Sequence, residues 1–128
     1  MPTVFYTTGP LDNLAPAATK TAAVQLRMLN NDTTETAFVA VNVYDASAGL
    51  AAKKLLTSFP LFVPPISEGN FVTTLAAAII VYEIELVLQT NGPFSEVQFF
   101  VIGKLADGNL NPSHRVLNSE LTVRTVIT

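Results

Sequence analysis

The stretch that most constrains this chain is Ile79–Thr90, IIVYEIELVLQT, its most hydrophobic part. Glu83 and Glu85 stand two apart, so a strand puts them on one face, whereas a helix would hold them about 200° apart. With period 2, Ile80, Tyr82, Ile84, Leu86 and Leu88 form an unbroken apolar row. The other row mixes Glu83, Glu85 and Gln89 with Ile79, Val81 and Val87. This pattern predicts a strand with one face in a core and the other partly wet.

The same alternation recurs along the chain. Thr3–Thr8 is β-prone and closes at Gly9-Pro10; the loosely patterned LDNLAPAATK follows. Such a strand pairs with its own sheet or is exchanged onto another molecule's edge. Thr21–Asn30 sets Ala22, Val24, Leu26 and Met28 against Gln25 and Arg27, and Glu35–Asp45 sets Val39, Val41 and Val43 against Phe38, Ala40, Asn42 and Tyr44. With the Asn30–Thr33 turn cluster between them, these two read as a hairpin. Lys53–Val63 contains a further strand, which Pro60 confines to an edge or divides. Ser67–Asn70 reads as a turn, Phe71–Thr74 as the next strand and Leu75–Ala78 as a connection. Glu96–Lys104 is expected to form a second hairpin with the Ile79–Thr90 strand, Gly103 marking a bulge or close approach. Asp107–His114 reads as a loop, and Arg115–Ile127 supplies the closing strand or strands. The expected fold is all-β: a single antiparallel β-sandwich domain over residues 1–128, jelly-roll or immunoglobulin-like, with seven to nine strands.

Composition bears on surface and partners. Only 13% of residues are charged and 49% are hydrophobic, against about 25% charged in ordinary globular chains. One core of this size cannot hide so much apolar surface, which favours association with other copies. The net charge of −3 supplies no basic footprint for nucleic acid. With no cysteine, disulfides, thiolate zinc sites and a cysteine nucleophile are excluded. The N-terminus lacks a basic region and an apolar core of signal-peptide length, so no signal peptide is expected. Leu75–Leu88 alternates, carries two glutamates and is too short to span a bilayer, so no membrane insertion is expected.

Few residues offer chemistry. Glu83 and Glu85 would lie about 6.5–7 Å apart on one strand, near an inverting glycosidase spacing, but with no identified cleft between them and no Trp to stack a sugar. A strand face offset by neighbouring Lys or Arg is the expectation. Asp107, Asn109 and Asn111 form D-x-N-x-N, the opening of a calcium loop, but Pro112 and Asn118 stand where an EF-hand needs Gly and Glu. The three are the candidate calcium ligands, and no other metal or cofactor is expected. His114, the single histidine, reads as a loop residue, with no nucleophile elbow for it to serve. Tyr82 is assigned to the core. No enzymatic activity is expected.

The stretches YTTGPL (Tyr6–Leu11), VQLRMLNND (Val24–Asp32) and RVLNSEL (Arg115–Leu121) carry a resemblance. The chain resembles small cysteine-free β-sandwich proteins of spore-forming Gram-positive bacteria, some relatives of which build spore coats, exosporium or spore appendages. It departs from the disulfide-linked appendage subunits in lacking Cys. The resemblance implies a structural, self-assembling surface or coat protein whose partner is itself, in a homo-oligomer, filament or lattice. It implies a place on the spore surface, with the cytoplasm otherwise expected. The alternative is a carbohydrate- or protein-binding β-sandwich module.

Overall fold

The computed structural model describes residues 1–16 and 18–128. Among these residues ten strands form, one more than the highest number expected: β1 (Thr3–Thr7), β2 (Leu11–Asp12), β3 (Ala23–Asn30), β4 (Ala37–Asp45), β5 (Lys54–Val63), β6 (Ser67–Thr74), β7 (Val81–Gln89), β8 (Val97–Lys104), β9 (Leu110–Val116) and β10 (Thr122–Ile127). Among the described residues the helical pieces are three-residue 3-10 turns, and no helix is long and apolar enough to cross a membrane.

The strands make two antiparallel sheets. The first runs β10-β1-β7-β4-β5, with β2 also paired to β7; the second runs β6-β3-β8-β9. The two sheets pack face to face on one core as the expected antiparallel β-sandwich. β5 and β6 extend one end of each sheet.

Each inner row comes from the predicted alternation. Tyr82, Ile84, Leu86 and Leu88 of β7 meet Val24, Leu26 and Met28 of β3, Val39, Val41 and Val43 of β4, and Val97, Phe99 and Val101 of β8 in one core. β1 contributes Val4 and a half-buried Tyr6, whose ring lies edge-on to Phe99. It is paired on both sides within its own chain, by β10 and β7.

Several connections differ from expectation. β3 and β4 are no hairpin: Asn30 closes the second sheet's row and the chain crosses to the first. Asp32 Oδ1 accepts from the backbone of Thr34 and Glu35, holding that crossing. β7 and β8 likewise lie in different sheets; the in-sheet hairpins are β4–β5 and β8–β9. Ser67–Asn70 belongs to β6, paired with β3, and the turn falls earlier, at Pro64–Ile66, where Ile66 takes a left-handed φ of 52°. The expected Asp107–His114 loop is shorter, because Leu110 already starts β9. β5 is the edge strand that Pro60 predicts.

Candidate functional site

The outer face of the first sheet carries the chain's densest side-chain chemistry. Pairing of β1, β7, β4 and β5 lays its residues in cross-strand rows. One row is Thr3, Gln89, Phe38 and Phe62; the next is Phe5, Val87, Ala40 and Pro60. A third is Thr7, Glu85, Asn42 and Ser58, and Glu83 pairs with Tyr44 beyond it. The face is therefore apolar at one end and polar at the other.

At the polar end both glutamates are buried, with side chains only 7% and 10% exposed. Lys53 Nζ donates to Glu83 Oε1 at 2.7 Å and Thr7 Oγ1 to Oε2 at 2.7 Å. Asn42 Nδ2 donates to Glu85 Oε1 at 3.2 Å, the Tyr44 hydroxyl joins it at 3.4 Å, and Arg124 Nη1 donates to Oε2. Ser58 Oγ extends the chain to Asn42 Oδ1, and the Lys53 ammonium lies 4.4 Å above the Tyr44 ring. Burial would push the Glu83 carboxyl up, but the Lys53 and Thr7 bonds outweigh it and hold it below its ordinary value. All four carboxylate oxygens are engaged. Lys53 precedes β5 and Arg124 stands on β10, so the expected offset by neighbouring cations is present. The expected wetness is not: cations and hydroxyls cover the pair.

His114 departs furthest from its sequence reading. It lies on β9, 5% exposed, inside a polar cluster rather than on a surface loop. Its Nε2 is 2.6 Å from the Asp12 carbonyl oxygen, which can only accept, so the ring proton is assigned to Nε2. Nδ1 then presents its single lone pair to the hydroxyls of Thr21 (2.7 Å) and Tyr82 (2.9 Å). Asn111 Nδ2 donates to Thr21 Oγ1, and Asn13 binds the Thr21 backbone and the Ile79 carbonyl. The cluster ties Asn13 and Thr21 to each other and to β7 and β9. Tyr82 is fully buried, as expected, and burial pushes its phenol well above its ordinary range. An open recess of about 370 Å3 adjoins His114, lined also by Asp12, Asn13 and Asn111. Among the described residues no buried side-chain polar atom lacks a partner, so none points unsatisfied into it.

The candidate calcium ligands separate into two groups. Asp107 and Asn109 bond each other, Asn109 N to Oδ1 at 2.9 Å and Nδ2 to Oδ2 at 3.0 Å. Asn111 turns away, its amide spent on Thr19, Thr21 and the Ser113 backbone N–H. Among the described residues no three His, Cys, Asp or Glu side chains gather as a metal cluster.

No protein-family model matches the chain, and no curated protein does. Among solved structures, the crystal structure of Thermotoga maritima 1070 is similar over 94% of this chain and 90% of that one, at 12% identity and a TM-score of 0.40. A likeness at that level carries no argument about function.

Proposed function

We propose that this chain is a non-catalytic structural protein that assembles with copies of itself in a surface layer or coat, the spore surface being the setting its sequence resemblance implies. One observation carries the reading: long apolar side chains stand exposed at both edges of one sheet. Leu55, Leu56, Phe59 and Phe62 do so on β5, and Val123, Val126 and Ile127 on β10. Scattered exposed apolar residues are ordinary, but runs along edge strands mark contact surfaces. Two opposite edges give a subunit two attachment points, the minimum for an extended array.

The strand-exchange route has less to draw on, since β1 is held by β7 and β10 of its own chain. The binding-module alternative lacks a sugar platform at its tyrosines: Tyr82 is in the core, Tyr6 packs on Phe99, and Lys53 covers Tyr44.

The test is size-exclusion chromatography with light scattering over a concentration series, then electron microscopy of the concentrated protein. Ordered assemblies are expected. A monomer that associates at no concentration overturns the proposal.

A further inference from the structure

We propose that the outer face of the first sheet, anchored at its apolar end, docks the same face of a second copy across a twofold axis. The inference rests on the self-assembly reading and names the surface it uses.

The face holds a knob beside a hole. Phe62 is 72% exposed, and its ring is braced edge-on by Phe38, centroids 4.8 Å apart at 77°. Beside it opens a recess of about 310 Å3 lined by Phe38, Ala40, Pro60, Val87 and Gln89, with one side of the Phe62 ring as its remaining wall. An apolar cavity of about 150 Å3 already holds a benzene ring, so the recess has room for a phenyl group. A knob and a hole on one face are self-complementary under a twofold axis: each Phe62 enters the other copy's recess. Because Phe38 fixes the ring beforehand, little side-chain freedom remains to be lost on docking.

Charge and area fit the same occupant. Glu83 and Glu85 are matched one to one by Lys53 and Arg124, so the polar end brings no unbalanced charge against its twin. Five strands at about 4.8 Å, five to ten residues long at about 3.3 Å per residue, give a face of about 600 Å2. That is at the lower end for a standard specific interface, which buries roughly 800 Å2 per partner.

The experiment compares the wild-type chain with three variants by light scattering, with circular dichroism to confirm folding. Phe62→Glu removes the knob, Ala40→Trp fills the hole, and Val72→Glu places the same charge on β6 of the second sheet, away from this face. The wild type and Val72→Glu are expected to dimerise alike. Phe62→Glu and Ala40→Trp are each expected to weaken the dimer by about 30-fold or more, the scale of a central interface anchor. If both folded variants dimerise as tightly as wild type, the docking face is wrong, even where larger assemblies still form. A wild type that stays monomeric and unassembled overturns the self-assembly reading as well.

Discussion

At Gly103 a side chain would have nowhere to go. A Cβ there would stand 2.7 Å from both the His114 Cβ and Thr21 Oγ1, two members of the polar cluster. Gly103→Ala is therefore expected to cost about 1–3 kcal/mol by overpacking, read as a lower urea midpoint with an unchanged m-value. Glu83 gives the second residue-scale prediction. Its folded carboxyl is held below its unfolded value, so its contribution is complete above the unfolded pKa and lost as pH falls through the folded one. Urea midpoints should hold from pH 7 to about 5 and drop below about 4. Glu83→Gln should cost about 1–3 kcal/mol at pH 7, leaving Lys53 without its carboxylate, and should flatten the acid limb. An acid limb unchanged in that variant would mean that other carboxylates set it. Both residues were partly legible in sequence. Gly103 reads as a bulge or close approach, and the β8–β9 register does shift between Ile102 and Gly103. The glutamates' shared face follows from their spacing, but Lys53, just before β5, and Arg124, on β10, are brought to them by a sheet order the sequence does not reveal. His114 was missed because Asp107–His114 reads as turn chemistry. A strand from Leu110 to Val116 would have put His114 on the same face as Val116, both buried.

At the scale of elements, alternation fixes which side chains face the core but not which sheet a strand joins. The inner row of β3 would face a core equally well from either sheet, and so β3–β4 and β7–β8 read as hairpins although each pair spans the sandwich. Ser67–Asn70 reads as a turn because Ser, Gly and Asn are poor strand formers; full-length pairing with β3 overrides that preference. β10 shows a further limit. Its register shifts opposite Phe5 and Tyr6, so Val123 and Val126 pair with Tyr6 and Val4 and share a face, breaking the simple alternation. These positions predict opposite outcomes for the two terminal strands. Deleting Met1–Pro10 removes a strand held on both sides that buries Val4 in the core, and should abolish the cooperative thermal transition. Deleting Thr122–Thr128 removes a strand whose six residues are all exposed. It should leave a cooperative transition at a lower midpoint, the loss of Arg124 from Glu85 included. Calorimetry of the two truncations decides between this ranking and its reverse.

For the whole molecule, the all-β class was legible because apolar rows of period 2 run from end to end, while the exposure of Phe62 was not, since an exposed phenyl ring and a core one look alike in sequence. The sheet order also dictates how the chain finds its fold. The first sheet is closed by the most distant pairing available: Thr3 lies opposite Ile127, and Val4 opposite Leu88. Each such pairing carries a loop-closure cost before any contact repays it, which places refolding in the millisecond-to-second range of β-sandwiches. The in-sheet hairpins β4–β5 and β8–β9 close over far shorter loops and should be organised first, with β1 and β10 joining afterwards. Core truncations on the two sides then separate kinetically. Val41→Ala on β4 should slow refolding, with a φ-value of about 0.5 or more, whereas Val4→Ala on β1 should act mainly by speeding unfolding, with a φ-value below about 0.3. Each should cost about 2 kcal/mol at equilibrium, enough for a reliable ratio. Stopped-flow chevrons of the two variants provide the measurement. If Val4→Ala slows refolding as much as Val41→Ala does, the long-range closure of β1 belongs to the nucleus, and the local hairpins do not lead.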